Sequence, residues 1–286
     1  MPITIGSNIP SLQAQRRLSE SNLRLQSVYE KLSSGERINK ASDDAAGLSI
    51  ADKLRADSRV ATVAIRNAND GISLVAIADS ALAGISNVLN RLAELSEQSA
   101  NGVFSSTQRS ALSNEFVALA SEVERIANVT QFNGVALLSG SSSVVLQVGF
   151  DSASTSQVSF SGVQGTLSGL GLAGTNSSAL TYSINAGTLT DAQSASRNAL
   201  DAVNRAIGSL AATRGILGAT ESRLNVAINN LQVAKENFSA AESRIRDADI
   251  ASESAELTRL NILQQAGAAV LAQANQQPSL ALTLLG

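Results

Sequence analysis

Apolar residues recur every seven positions late in the chain. Val203, Leu210, Leu217, Leu224, Leu231, Phe238 and Ile245 form one unbroken series. A second series reads Leu200, Ile207, Arg214, Glu221, Ile228, Lys235 and Glu242. Alternating spacings of three and four over this length predict a long helix with a coiled-coil seam, from about residue 192 to 245. At 1.5 Å per residue it would extend on the order of 80 Å. Charges in the second series predict a half-wet seam. The next series is Ile250, Leu257, Gln264 and Leu271, so the stripe changes face within 244–253. A phase shift of this kind marks a change of winding or of packing partner. Asp247 or Asp249 can cap the fresh start.

The first half follows the same plan. Ala14, Ser21 and Val28 interleave with Leu18, Leu25 and Leu32. Gly35 is a helix stop, and Ser42, Asp43 or Asp44 a helix start. From about 44 to 100 two apolar stripes share one helix. One carries Ala61, Ile65, Ala68, Ile72, Val75, Leu82 and Leu89; the other Leu74, Ile77, Ala81, Ile85, Val88, Leu92 and Leu95. A helix apolar on two sides is buried on two sides. A further amphipathic helix covers 107–128. Asn133-Gly134 and the run VVLQVGF (144–150) are turn and strand signals, with YSIN (182–185) as another strand candidate. Ser, Thr and Gly dominate 139–190, which predicts hairpins and solvated loops.

The pattern therefore predicts a mainly α fold. It is a long coiled-coil helical hairpin with its N- and C-terminal helices paired, plus a small β-hairpin element in the middle. Residues 1–43 with 247–286 form one terminal coiled-coil domain. Residues 44–139 with 191–246 form a helical bundle, and 140–190 a short β and loop region.

Composition sharpens this picture. Of 286 residues 44% are hydrophobic, yet only 3% are aromatic. Contacts are filled by Ala, Leu, Ile and Val, as in helices packed side by side. Prolines stand only at positions 2, 10 and 278, leaving the helical stretches unbroken. Net charge is -3, with bases scattered among acids, so no nucleic-acid partner is implied. Cys and His are absent. Disulfides, the usual zinc sites and Ser-His or Cys-His nucleophile pairs are thereby excluded. Residues 1–10 lack the Lys or Arg of a Sec-type signal. No run of roughly 18 apolar residues predicts membrane insertion.

Candidate chemistry is sparse. Gly169 to Gly174 fit G-x-G-x-x-G, but the TNSSALTYS that follows is no helix start, so a dinucleotide site is not indicated. The acid pairs Asp43–Asp44 and Asp247–Asp249 lack calcium-loop spacing and read as helix caps. Asn128, Asn176 and Asn237 open short glycan sequons of low specificity. The expectation is no enzyme, no metal and no cofactor. The apolar end SLALTLLG (279–286) needs a different explanation, because chain ends are usually polar.

Long motifs supply one. LSSGERINKASDDAAGLSIADKLRA (32–56), RNANDGISLVAIADSAL (66–82), QFNGVALL (131–138) and SRIRDADIASESAELTRLNILQQAGAAVLAQANQ (243–276) resemble bacterial flagellin. The resemblance implies the subunit of an extracellular, hollow helical polymer, the bacterial flagellum, with the terminal helices as its inner tube. It implies self-association, export in the unfolded state with a chaperone and the type III apparatus, and contact with cap and hook–filament junction proteins. Subunit packing would then fall on Leu18, Leu25, Leu32, Leu257, Leu263, Val270, Leu271, Leu282, Leu284 and Leu285. By the same resemblance Arg91, Glu94, Leu95 and Glu115 match the segments that an animal toll-like receptor recognises. A hook–filament junction protein with flagellin-like ends is the alternative. A protease carried in the variable region would require histidines that this chain lacks.

Overall fold

The computed structural model describes residues 8–139, 143–160, 163–174 and 177–285, without the side chains of Phe160 and of 277–285. Among the described residues five α-helices dominate: α1 (Ile9–Ser34), α2 (Ala45–Ala100), α3 (Ser106–Val129), α4 (Leu189–Arg246) and α5 (Ile250–Leu285). Four short strands among these residues pair as two antiparallel hairpins, β1 (Gln131–Phe132) with β2 (Val135–Ala136) and β3 (Val144–Gln147) with β4 (Gln157–Phe160). The first turns through Asn133 and Gly134, both left-handed, as the Asn-Gly pair required. YSIN is not a strand.

The chain forms two compact units, 1–59 with 235–286, and 60–234. In the second unit, α2, α3 and α4 share a core. Leu74, Val75, Leu82, Ile85, Leu89, Leu92 and Leu95 of α2 meet Phe116 and Val123 of α3 and Val203, Leu210 and Leu217 of α4. Along both stripes of α2 the residues are buried or half-buried except at Ile77, which is exposed. Part of α2 reaches a mean hydropathy of 1.7 over 18 residues. Small residues give this stretch its hydropathy without an unbroken apolar run, and about a third of it is buried.

Two expectations need correction. The second seam series of α4 holds only in part: Ile228 is buried and Leu200, Ile207, Arg214 and Glu242 are half-buried, but Glu221 and Lys235 leave it. Glu221 and Lys235 are exposed, while Ala199, Ala206 and Thr220 are buried beside the first series. Glu221 and Lys235 thus face solvent, whereas Arg214 stays half-buried and bonds Asp79 of α2. The segment 163–174 is not a solvated loop either. Val163, Leu167, Leu170 and Leu172 are buried in the same core.

The strap at 182–185 is fixed by hydroxyls. The carbonyl of Ile184 accepts from Ser99 Oγ of α2 at 2.7 Å and from Ser196 Oγ of α4 at 3.1 Å. Asn185 Nδ2 donates to Ser110 Oγ of α3 at 3.1 Å.

In the first unit α1 and α5 run antiparallel. Gly35 ends α1 in the left-handed conformation, its N–H bonded to the Lys31 carbonyl at 2.9 Å. Gly47 N donates to Asp44 Oδ1 at 2.9 Å, and Ala251 N to Asp249 Oδ1 at 2.9 Å. Asp43 Oδ2 accepts from the N–H groups of Asn39 and Lys40. These carboxylates are occupied with backbone donors, as helix starts and turns demand.

Candidate assembly interface

The α1–α5 seam is thin. Ser11, Ala14, Leu18, Ser21, Leu25, Val28 and Leu32 point inward at alternating spacings of three and four. Opposite them lie Leu257, Leu260, Gln264, Gly267, Leu271 and Ala274. A Cβ placed on Gly267 would lie 3.5 Å from Leu18 Cδ1, so this leucine sits over the glycine. Leu18, Leu25, Leu32, Leu257 and Leu271 are only half-buried. Leu260, which the heptad reading passed over, is fully buried. Polar bonds dress the seam. Gln264 Nε2 donates to Asn22 Oδ1 at 2.9 Å, and Lys31 Nζ lies 3.5 Å from Glu253 Oε1.

Apolar residues on the other faces have no cover. Leu23 is 64% exposed, Ile262 60%, Val270 59% and Leu263 45%. Ile9, Leu12 and Tyr29 are also exposed. In the described part of this unit only Ser11, Val28, Ile38, Ala51, Leu260 and Ala274 are buried. The side chains of Leu282, Leu284 and Leu285 lie outside the described residues.

The loops beside the seam are tied to each other. Ala248 N donates to the Gly35 carbonyl at 3.0 Å, and Arg37 N to the Arg246 carbonyl at 2.6 Å. Arg246 Nε lies 2.9 Å from Glu36 Oε2, and its Nη1 lies 3.5 Å from Asp52 Oδ1. The breaks read at 33–43 and 245–250 thus meet as one bonded joint within this unit.

A separate feature lies on the second unit. Arg91 of α2 donates to Glu115 of α3 from Nε at 2.9 Å and from Nη2 at 2.8 Å, and to Glu94 from Nη1 at 2.9 Å. Bonds to Glu94 and Glu115 raise the guanidinium's already high pKa. All three side chains are exposed. Leu95 departs from the expectation of a contact residue. It is fully buried in the core with Phe116 and Leu92, because it completes the second α2 stripe.

Comparison with known proteins places this architecture. Residues 5–143 match the bacterial flagellin N-terminal helical region, and residues 200–285 the bacterial flagellin C-terminal helical region. Flagellin of Halalkalibacterium halodurans is 43% identical over 98% of this chain and 99% of its own length. Flagellin of Bacillus subtilis is 40% identical, with the same coverage of both chains. The flagellar filament 33 kDa core protein of Treponema phagedenis is 38% identical, again over 98% and 99%. A crystal structure of Bacillus cereus flagellin aligns with 58% of this chain and 88% of its own, at 26% identity and a TM-score of 0.47. With both terminal regions matched and full-length relatives well above 30% identity, the chain belongs to the bacterial flagellin family, structural and non-enzymatic subunits of the extracellular flagellar filament.

Proposed function

We propose that the uncovered faces of α1 and α5 are the principal assembly surface, and that this chain polymerises by burying them against copies of itself. The carrying observation is the exposure of Leu23, Ile262, Leu263 and Val270 around a seam that is itself only half-buried. Burying apolar surface gains about 25 cal/mol per Å². Fixing the chain in a helix costs about 1–2 kcal/mol per residue of backbone entropy. A pair of helices with so few buried residues gains little against that cost alone, and neighbours in a stack supply the missing contacts. Head-to-tail contacts that do not close on themselves generate a helical polymer. In this reading 1–43 with 247–286 is the inner layer, 44–139 with 191–246 the outer bundle, and 140–190 the outermost region.

The weak autonomy of the ends also suits export. A chain whose termini order only on assembly is held unfolded at low cost by an export chaperone and threaded through the export apparatus. It then adds at the distal tip beneath the cap protein, beyond the hook–filament junction. Removing residues 279–286 tests the proposal. The truncated chain stays a helical monomer in sedimentation and makes no long filaments by electron microscopy. Long filaments from the truncated chain would reject the role of the tail. If the full-length chain failed to form long filaments, the junction-protein reading would replace this one.

The exposed Arg91–Glu94–Glu115 network favours a second role in recognition by the animal toll-like receptor. Arg91→Ala weakens binding of the monomer directly, whereas Leu95→Ala acts through core packing and lowers thermal stability as well. Unchanged affinity in Arg91→Ala would reject it.

A further inference from the structure

Two Asn-Gly pairs occur in the chain, at 101–102 and 133–134, and the fold treats them differently. Asn101 follows the last residue of α2 in an exposed turn. Its side-chain Oδ1 accepts from Val103 N at 3.2 Å. The ring closed by that bond contains both the Asn101 side-chain carbonyl carbon and the Gly102 nitrogen, so it folds the carbonyl back over the Gly102 peptide. The donated N–H also polarises the carbonyl and would stabilise negative charge developing on its oxygen. Gly102 carries no side chain to hinder attack.

Asn133 is held otherwise. Its φ is 49° in a turn clamped between β1 and β2, with Phe132 paired to Val135. Among the described residues no N–H donates to its side-chain carbonyl. Closing a ring there requires the backbone to leave the hairpin turn.

We infer that Asn101 is a site of spontaneous deamidation, and that the folded chain converts it to aspartate and isoaspartate ahead of Asn133. The Gly102 amide loses its proton to solvent base and its nitrogen bonds to Asn101 Cγ. The bond from Cγ to the side-chain nitrogen breaks, and ammonia leaves with a proton taken from water. Water then opens the succinimide at either carbonyl. Net, one water is consumed and one ammonia released, with no change of oxidation state.

The product has a structural consequence. A new negative charge at the C-terminal end of α2 opposes the helix dipole. Isoaspartate lengthens the backbone between α2 and the anchor provided by Arg109, whose Nη2 donates to the carbonyl of Phe104 at 2.6 Å and lies 3.4 Å from that of Asn101. Arg109 is buried, so this anchor has little room to follow.

The test is incubation of the full chain in mildly alkaline, ¹⁸O-labelled water, with peptide mass spectrometry of both sites, folded and in urea. One hydrogen bond on the developing charge amounts to roughly a two- to tenfold rate difference. The folded chain should lose the Asn101 amide faster than that of Asn133 by about that factor. The two rates should converge in urea. Val103→Pro, which deletes the donated N–H while keeping Asn101-Gly102, should slow Asn101 in the folded state. Equal or reversed rates in the folded chain, or a ratio that survives urea or Val103→Pro unchanged, would overturn the inference.

Discussion

The side-chain amide of Asn8 donates to the carbonyl of Ala274, 2.8 Å away and 266 positions later in the sequence. Three residues on, Ser11 Oγ donates to Asn275 Oδ1 at 2.7 Å. Asn8 also caps α1, accepting from Ser11 N at 3.1 Å. One end of the chain is thus stitched to the other by polar bonds rather than by a broad apolar core. Replacing Asn8 with Ala removes a cap worth about 0.5–2 kcal/mol. The expected result is faster amide exchange over the first turns of α1 in the monomer, with the 60–234 unit unaffected.

Leu260 is the deepest apolar residue of α5 in this seam. Leu260→Ala should destabilise the α1–α5 pair by about 2–5 kcal/mol, toward the low end because a thin seam can collapse around the gap. Filament growth from seeds should slow, while the thermal transition of the 60–234 unit should stay in place. Loss of both together would show that the two units fold as one.

Gly71 is where the β3–β4 hairpin seats on α2. A Cβ there would run into Leu146 Cδ1, and Asn67 Nδ2 nearby donates to the Gln147 carbonyl at 3.0 Å. Gly71→Val forces the leucine aside and should cost about 1–3 kcal/mol, measured by urea unfolding. Adding Leu146→Ala should recover part of that loss. Additive losses would contradict the fit between these two residues.

Asp79 and Arg214 join α2 to α4 through two hydrogen bonds, 2.7 and 3.1 Å. The bonded guanidinium holds the Asp79 carboxyl below its ordinary 3.8. Since the folded-state value is depressed, the pair stabilises the fold at pH above that ordinary value. The contribution fades as pH falls below it and through the folded-state value. Both side chains are well exposed to solvent, so the effect is only about 0.2–1 kcal/mol and shrinks with salt. Asp79→Asn should flatten this part of the acid-unfolding profile without changing it above pH ~6 in slope.

Much of this architecture was legible in the heptads. Leu18, Leu25 and Leu32 sit on the seam where their spacing put them, and the breaks at Gly35 and around Asp247 fall where caps and phase shift predicted. Alanine and threonine hid part of the buried face of α4, because Ala199, Ala206 and Thr220 carry too little apolar contrast to stand out from their neighbours. Leu167, Leu170 and Leu172 escaped because irregular backbone has no period to detect. The clamp on the Ile184 carbonyl joins Ser99 and Ser196, residues with no local signal for it. Arg91 and Glu115 lie on different helices, and their pairing became visible only once α3 lay against α2. The burial of Leu95 was readable from its stripe, and that stripe outweighs its place beside Arg91.

Amide hydrogen exchange on the same chain as monomer and as filament tests the central claim most directly. The account predicts rapid exchange over 9–34 and 250–276 in the monomer, strong protection of both in the filament, and protection of the 60–234 core in either state. Monomer protection of the two terminal helices equal to that of the core would contradict it.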